Sequence, residues 1–229
     1  MQAVILAGGR GERLRPQTDT VPKSMTPVKG KPFLEHQILL LKKAGISDFL
    51  LLTGHLSNVI ESHFREGSKL KVHIEYSVDS HPLGSGGAVK NAAKLIQNDF
   101  LLINGDAVTP MDYKDMITQY KTQSIPILMT AYDNHDKLIP NNIRVEPDLT
   151  ITGYNRNNPN GMTHIESGIL AIKSFVFFRM MPETSVFSIE DDVYPKLNRY
   201  RLMKAFVTDK PFYDINVPER LKKLGEILA

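Results

Sequence analysis

A glycine- and arginine-rich segment near residue 10 has the residue types of a phosphate-binding loop. Gly8-Gly9-Arg10-Gly11-Glu12-Arg13 follows the apolar run Gln2–Leu6, which predicts a short strand. Glycines let backbone amides approach a ligand closely, and the neighbouring arginines are charge-matched donors for a polyphosphate. The spacing is not the dinucleotide-binding fingerprint, because Leu14 takes its third glycine position, and no Gly-Lys-Ser/Thr of a P-loop follows. The alternative is a tight turn that binds nothing.

A second polar turn follows another apolar run. Phe100–Ile103 predicts a buried strand that ends at Asn104-Gly105-Asp106. In a sheet of parallel strands, this turn and the segment Gly8–Arg15 lie at the same carboxyl edge, where ligands of such sheets bind. The alternative for Asp106 is an aspartate that only caps the next turn.

The elements that would carry these turns alternate between strand and helix as far as residue 131. Pro32 suits a first helical turn and Gly45 a helix end. The alternation predicts an α/β fold: a Rossmann-like, mainly parallel sheet flanked by helices on both faces. The predicted order is strand Gln2–Leu6, helix Pro32–Ala44, strand Asp48–Thr53, helix Ser57–Arg65, strand Lys71–Tyr76, helix Gly87–Ile96, strand Phe100–Ile103, helix Asp112–Lys121 and strand Ile125–Ala131.

The pattern changes in the second half of the chain. Pro140–Tyr154 and Thr163–Ile172 are β-rich, whereas Ser188–Leu197 and Pro218–Leu228 have a helical pattern. No Gly/Ser-rich linker and no internal repeat separates the halves. We therefore predict one domain over residues 1–229, with a core in residues 1–131 and a β-rich insertion or lid within residues 132–229.

Composition narrows the classes of function. The chain has 229 residues, and 28 Lys and Arg against 25 Asp and Glu leave a net charge of +3, too small to indicate nucleic-acid binding. It has no Cys, which excludes disulfides, zinc–thiolate sites, iron–sulfur clusters and a Cys nucleophile, and which fits a reducing compartment. No apolar stretch approaches the roughly 18 residues of a membrane span, and the first residues do not resemble a signal peptide. We expect a cytoplasmic protein that binds neither nucleic acid nor membrane.

Longer motifs carry a resemblance to a known family. Leu6-Ala7-Gly8-Gly9-Arg10-Gly11-Glu12-Arg13-Leu14, followed by Pro16, Thr18 and Pro22-Lys23, resembles the signature of the sugar-1-phosphate nucleotidylyltransferases. The small bacterial mannose- and heptose-1-phosphate guanylyltransferases are the most similar type. The resemblance covers almost the whole chain and continues through Pro82–Ala88, Asn104–Asp106, Ile165–Ile169, Phe187–Leu197 and Phe212–Leu221.

The resemblance implies a reaction and assigns residues to it. In this family an NTP and a sugar 1-phosphate give an NDP-sugar and pyrophosphate, as the sugar phosphate oxygen attacks the α-phosphorus in line. By resemblance, the catalytic residues are Arg13 at the leaving pyrophosphate, Lys23 at the α-phosphate and Asp106. Asp106 and Asp214 would bind Mg²⁺ as the cofactor, with Asn216 in place of a usual glycine. The residues expected to bind the nucleotide are Leu6, Ala7, Gly8, Gly9, Arg10, Gly11, Arg13, Ser77, Leu83, Gly84, Gly87 and Asp106.

The sugar-binding part departs from the commonest family pattern. Asn155-Arg156-Asn157 stands where Glu-Lys-Pro is often found, so Arg156 is expected to replace the lysine at the sugar phosphate. Glu166 is expected to accept hydrogen bonds from sugar hydroxyls. A loop arginine in water and a solvent-facing strand glutamate are the alternatives. The expected sugar-phosphate contacts are Asn155, Arg156, Glu166 and Lys196, the last also explained as a solvated helix lysine.

The sequence leaves the substrates and some competing activities open. The segment Pro82–Ala88 favours GTP, with a mannose- or heptose-type 1-phosphate, over UTP, CTP or dTTP with another sugar phosphate. A glycosyltransferase would not need the cations of Gly8–Arg13 together with Lys23. A non-catalytic nucleotide-sugar sensor would be expected to have lost Lys23, Asp106 or Asp214, and all three are present. A homodimer is compatible with the sequence, which does not fix the oligomeric state.

Overall fold

Strands and helices alternate along the first half of the chain. The computed structural model describes residues 1–137, 139–215 and 218–227, without the side chains of Arg13, Gln17 and residues 218–221. The strands are β1 Gln2–Leu6, β2 Pro27–Val28, β3 Lys31–Pro32, β4 Asp48–Thr53, β5 His73–Val78, β6 Asp99–Asn104, β7 Ala107–Val108, β8 Ile127–Tyr132, β9 Ile143–Val145, β10 Ile151–Tyr154, β11 Ile165–Lys173, β12 Met203–Thr208 and β13 Tyr213–Asp214. The helices are α1 Phe33–Lys43, α2 Ser57–Phe64, α3 Gly84–Asn91, α4 Tyr113–Thr122, α5 Ser174–Met180, α6 Tyr194–Arg199 and α7 Pro218–Ile227, with a π-helical turn at Ile189–Val193 before α6.

Helix α1 shows how local sequence sets an element. Leu34, Ile38 and Leu41 recur at helical spacing and are buried in the core. Pro32 precedes the first turn, and Gly45, with a φ of 91°, follows the last. The predicted helix is therefore confirmed, with ends within a residue of those expected.

A single large sheet forms the centre of the molecule. Its seven strands lie in the order β12-β8-β11-β6-β1-β4-β5. Strands β6, β1, β4 and β5 are parallel, as are β12 and β8, whereas β11 is antiparallel to both of its neighbours. Helices α1, α2 and α4 pack on one face, and α3, α5 and α6 pack on the other. The predicted mainly parallel sheet with helices on both faces is confirmed.

The second half of the chain differs from the expected insertion. Most of the predicted segment Thr163–Ile172 is strand β11, which lies inside the sheet between β6 and β8. Met203–Thr208, where no strand was predicted, forms the edge strand β12. Both strands pair with residues distant in the chain, and local periodicity does not reveal such partners. The hairpin β9–β10 lies outside the central sheet and forms the compact part of the insertion.

The loops that carry the predicted site residues follow the carboxyl ends of the parallel strands, at one edge of the sheet. The parallel strands β5, β4, β1 and β6 end at this edge, and the antiparallel strand β11 begins there. Ligands of α/β sheets bind beyond the carboxyl ends of the strands. Within the described part of the chain, no helix combines the length and the apolar character that crossing a membrane requires.

Candidate active site

A cleft of about 920 Å³ opens at the carboxyl edge of the sheet. Its volume suits a nucleotide-sized ligand. The loops after β1, β4, β5 and β6 all contribute to its walls. Of the residues predicted from sequence, those that line the cleft are Leu6, Ala7, Gly8, Gly9, Arg10, Gly11, Lys23, Leu83, Gly84 and Asp106.

The glycine-rich loop leaves β1 and turns sharply at Gly11. Gly11 has a φ of 63°, and a Cβ there would lie 2.8 Å from Thr18 Cγ2 and 3.0 Å from Lys23 Cβ. Thr18 Oγ1 donates a hydrogen bond to the Gly11 carbonyl at 2.9 Å and holds the turn. Glycine is therefore required at this position, because a side chain would separate the loop from Lys23. The predicted contact of the Arg13 side chain lies outside the described residues.

Asp106 sits on a turn that two other elements hold in place. Gln37 of α1 donates hydrogen bonds to the Asn104 and Ala107 carbonyls at 2.8 and 2.6 Å. Gly105 N–H donates to the Leu6 carbonyl at 3.0 Å, which places the turn beside the glycine-rich loop. Lys23 Nζ and Asp106 Oδ2 form a half-buried ion pair. The structure thus brings together two residues that lie 83 positions apart in the chain and that were both predicted to be catalytic.

A second carboxylate comes close to this turn through a short ladder. Strand β13 pairs antiparallel with β7, so that Asp214 lies opposite Ala107. Ile215 N–H donates to the Asp106 carbonyl at 3.1 Å and reinforces the ladder. Asn216 lies outside the described residues. Asp106 and Asp214 lie far apart in the sequence, so only the family resemblance indicated that they come close together.

The carboxylates of Asp106 and Asp214 suit Mg²⁺ better than they suit a metal ion whose ligands all come from the protein. Among the described residues, no group of three or more His, Cys, Asp or Glu side chains could hold a metal ion. Asp106, just before β7, and Asp214, in the paired strand β13, provide two hard oxygen donors. Mg²⁺ commonly uses one or two carboxylates and takes its other ligands from phosphates and water.

Two of the predicted nucleotide contacts, Ser77 and Gly87, do not line the cleft. Ser77 is buried within β5, paired with Leu52, because the strand continues to Val78. Asp79, the first residue past the strand, lines the cleft instead. Asn91 Nδ2 donates to Asp79 Oδ1 at 3.0 Å, and burial raises the pKa of the Asp79 carboxyl despite this bond. Gly87 does not line the cleft, because it packs against the Ser185 backbone.

The predicted sugar-binding residues fall into two groups. Glu166 lies at the start of β11, and burial together with the charge of Glu190 raises the pKa of its carboxyl to about 7. Arg156 donates hydrogen bonds to Tyr154 Oη at 3.1 and 2.8 Å and lies within electrostatic reach of Glu166 and Glu190. Neither Glu166 nor Arg156 lines the cleft itself, but Glu190 does, and Glu166 lies within electrostatic reach of Asp106.

Asn155 and Lys196 take structural roles instead. Asn155 Oδ1 accepts hydrogen bonds from the backbone amides of residues 157 and 158, which closes a local turn. Lys196 Nζ donates to the Met180 carbonyl at 2.9 Å and ties α6 to the end of α5. The structure does not bring the Lys196 side chain to the cleft, because the carbonyl at the end of a neighbouring helix binds it.

Sequence reasoning missed several cleft residues. Glu190 is one of them, and its carboxylate accepts hydrogen bonds from Ser85 and Ser188. The others missed are Ser24, Leu52, Gly54, His55, Asp79, Ser80 and His81, whereas Glu12, Pro82, Ser85, Ala88, Asn104 and Gly105 line the cleft within the motifs quoted from the sequence. A useful signal was available for Asp79, because acidic residues that follow a strand at the ligand-binding edge are candidates for contact.

Comparisons with known proteins agree with this arrangement. Residues 2–138 match the family model described as nucleotidyl transferase. The D-glycero-alpha-D-manno-heptose 1-phosphate guanylyltransferase of Aneurinibacillus thermoaerophilus is 30% identical over 97% of this chain and 96% of its own length. The mannose-1-phosphate guanylyltransferase of Mycobacterium tuberculosis is 31% identical over 86% of this chain, which spans 55% of that protein.

A solved structure has the same fold over the full length. HddC from Yersinia pseudotuberculosis, complexed with GMP-PN, superposes with a TM-score of 0.82 at 28% identity. The match covers 100% of this chain and 99% of HddC. The cleft at the carboxyl edge, the Lys23–Asp106 pair and these similarities lead to one assignment. The chain belongs to the nucleotidyl transferase family and is a sugar-1-phosphate nucleotidylyltransferase.

Proposed function

We propose that the protein transfers GMP from GTP to a mannose- or heptose-type sugar 1-phosphate and releases pyrophosphate. A phosphate oxygen of the sugar forms a bond to the α-phosphorus, and the bond between the α-phosphorus and its bridging oxygen to the β-phosphate breaks. The product would be a GDP-sugar, a glycosyl donor of the kind that polysaccharide biosynthesis consumes. The position of Asp79 in the cleft is the observation that carries the choice of base.

Asp79 offers guanine the acceptors that its base edge needs. A carboxylate accepts hydrogen bonds and donates none, and guanine presents two adjacent donors, N1–H and the N2 amino group. Asn91 uses one lone pair of Oδ1 and leaves the other acceptor sites of Asp79 for a ligand. Uracil and thymine present one N–H between two carbonyl oxygens, which a carboxylate repels. The relatives named as guanylyltransferases support the same choice.

The order of strands fits the length of the proposed product. From β5, which precedes Asp79, to β11, which carries Glu166, the sheet order is β5-β4-β1-β6-β11. These four strand spacings span about 19 Å, comparable to an extended nucleotide sugar. The base would lie beyond β5, the phosphates beyond β1 and β6, and the sugar beyond β11. Arg156 would neutralise the sugar phosphate at that end.

Charge neutralisation would dominate catalysis at this site. Lys23 would leave Asp106 to contact the α-phosphate and hold it in line with the attacking oxygen. Asp106 and Asp214 would hold Mg²⁺, which when bound lowers the charge repulsion between the reacting phosphates. Arg13 is expected to contact the β- and γ-phosphates. The reaction needs no covalent intermediate on the protein.

The base choice is tested by a matrix of GTP, UTP, CTP and dTTP against mannose 1-phosphate, scored by pyrophosphate release. We expect the wild type to use GTP best, and Asp79→Asn to lose about 100-fold or more in kcat/KM for GTP, because two charge-assisted bonds are lost. Asp209→Asn, an exposed aspartate change elsewhere, is the control. Equal use of UTP by the wild type, or full GTP activity in Asp79→Asn, would remove this proposal.

The proposal extends to the location of the protein and to its oligomeric state. A reaction that consumes GTP belongs where nucleoside triphosphates are made, so we infer a cytoplasmic location. A homodimer is compatible with the fold, and size-exclusion chromatography with light scattering tests it.

A further inference from the structure

Glu190 is a cleft residue for which the proposed reaction has so far no use. It lies in the π-helical turn Ile189–Val193 and lines the same cleft as the glycine-rich loop and Asp106. The other carboxylates that line the cleft in the described chain are Glu12, Asp79 and Asp106. Asp79 and Asp106 have proposed roles at the base and the metal, and Glu12 belongs to the glycine-rich loop. Glu190 therefore brings a further negative charge into a site that binds phosphates.

Hydrogen bonds fix one oxygen of Glu190 and leave the other available. Ser85 Oγ and Ser188 Oγ donate to Oε2 at 2.7 and 2.8 Å. Ser85 Oγ in turn accepts a hydrogen bond from Ile189 N–H at 2.9 Å, so its proton is directed at Glu190. No residue in the described part of the chain donates a hydrogen bond to Oε1. The carboxylate is thus oriented in advance, with an acceptor oxygen left for a ligand.

The backbone around Glu190 is locked onto the loop that begins α3. Phe187 N–H donates to the Leu83 carbonyl at 3.1 Å, and the Phe187 carbonyl accepts from Gly86 and Gly87 N–H at 3.1 and 3.3 Å. A Cβ at Gly86 would lie 2.1 Å from the Phe187 ring, so the contact needs a glycine. These bonds hold the backbone of the segment that carries Glu190 beside the cleft.

Negative side chains surround Glu190 at the end of the cleft where we propose that the sugar binds. Glu190 raises the pKa of Glu166 through charge repulsion, second to burial, and it lies within electrostatic reach of Arg156. The carboxylates of Glu166, Glu190 and Asp191 all lie within electrostatic reach of Arg156, the cation proposed for the sugar phosphate. A ring with several hydroxyl donors suits these acceptors. A ring with its own carboxylate would face two like charges.

We propose that Glu190 is a substrate-binding residue whose Oε1 accepts hydrogen bonds from hydroxyls of the sugar 1-phosphate, and that with Glu166 it excludes sugar 1-phosphates that carry a carboxylate. Ser85 is a positioning residue that orients Glu190. This inference rests on the proposed function and specifies its substrate class: uncharged polyhydroxy sugars.

The main test compares Glu190→Gln with the wild type, using GTP and either mannose 1-phosphate or glucuronic acid 1-phosphate. We expect KM for mannose 1-phosphate to rise about 10- to 100-fold, as for the loss of a hydrogen bond to a charged group, while KM for GTP changes less than about two-fold. The preference for mannose 1-phosphate over glucuronic acid 1-phosphate should fall by about ten-fold or more. Glu183→Gln, an exposed glutamate in the preceding segment, is the charge-matched control.

A second variant separates orientation from charge. Ser85→Ala keeps the Glu190 carboxylate but removes the hydroxyl that directs it. We expect a smaller rise in KM for mannose 1-phosphate and an unchanged rejection of glucuronic acid 1-phosphate. An unchanged KM for mannose 1-phosphate in Glu190→Gln, or an equal rise in KM for GTP, would overturn the inference, because Glu190 would then serve only the α3 loop.

A binding experiment keeps this inference distinct from the proposed function. Calorimetric titration of mannose 1-phosphate into the wild type and Glu190→Gln does not depend on turnover. Weaker binding to the variant supports the inference even if GTP proves to be the wrong nucleotide. Equal dissociation constants refute it even if pyrophosphate release from GTP is confirmed.

Discussion

At the scale of single residues, Lys23 and Asp106 already form an ion pair in the ligand-free protein. The Lys23 side chain is only 15% exposed and pairs with Asp106 before any substrate is present. We expect Lys23→Ala to lower kcat by about 10²- to 10³-fold, the usual effect of removing one donor to a developing charge, with a smaller change in KM for GTP. Steady-state pyrophosphate release measures both constants, and Lys29→Ala, an exposed lysine nearby, is the control. A change confined to KM would contradict the role of Lys23 at the α-phosphate.

Glu166 links the sugar end of the cleft to the pH dependence of stability. Its pKa is about 7 in the folded protein against an ordinary value of 4.5, because of burial and the charge of Glu190. Between these two values the folded state keeps a proton that the unfolded chain has released, so stability falls as pH rises from about 4.5 to 7. Glu166→Gln removes this loss. It should raise the free energy of unfolding at pH 8 by about 1–3 kcal/mol and change it little at pH 4.5.

Urea denaturation at several pH values checks this expectation. Glu75→Gln, which removes an exposed glutamate from β5, provides the comparison. Equal stabilisation by Glu166→Gln at pH 4.5 and pH 8 would show that the effect does not come from the proton on Glu166.

The residues that could be predicted from sequence are those within continuous motifs. Gly8 to Gly11, Lys23 and Asp106 line the cleft as expected. Asp79 was missed because the predicted strand ended at Tyr76, which made Ser77 the first residue beyond it. The strand continues to Val78, so the residue at the edge is Asp79. Glu190 was missed because its position depends on packing against residues more than 100 positions earlier.

At the scale of elements, α3 and the segment at Phe187 act as one unit around the cleft. Gly86 is buried, and the Phe187 ring that a Cβ would meet is held by backbone bonds on the same residue. We expect Gly86→Ala to cost about 1–3 kcal/mol in the free energy of unfolding, the usual cost of overpacking, and to raise KM for GTP as the loop shifts. Gly9→Ala is the matched control for stability, because its Cβ would meet nothing within 4 Å. Equal unfolding midpoints in urea for the two variants would contradict this packing.

The elements differ in how far the sequence could predict them. Helix α1 and strands β1, β4 and β6 carry their own periodic or apolar patterns and bury them against the sheet. Strand β11 has the same apolar character but pairs antiparallel between two strands that come earlier in the chain. Its pattern indicates that it is buried and says nothing about its neighbours. Its place in the sheet, and hence the approach of Glu166 to Asp106, follows from tertiary packing.

At the scale of the whole molecule, the cleft joins parts of the chain from Leu6 to Glu190. Loops from both halves of the sequence surround the ligand, and two core clusters on opposite faces of the sheet hold them in place. Ligand binding should therefore stabilise the folded state as a whole, because the unfolded chain offers no such site. Comparing the stabilisation by each ligand alone with that by both ligands shows whether the protein binds each of them independently.

Mg²⁺ and GTP are expected to stabilise the protein together and much less so apart. Asp106 and Asp214 are the two carboxylates proposed for the metal, and Lys23 forms an ion pair with Asp106. Mg²⁺ alone should bind weakly, whereas Mg²⁺ with GTP at about 100 times its dissociation constant should add about 2.7 kcal/mol. For a chain of this size that corresponds to a rise in Tm of about 5–10 °C, measured by differential scanning fluorimetry. EDTA should abolish most of the shift, and Asp106→Asn should reduce it. If Mg²⁺ alone raised Tm as much as Mg²⁺ with GTP, the protein would complete the metal site without the GTP phosphates, and this expectation would be wrong.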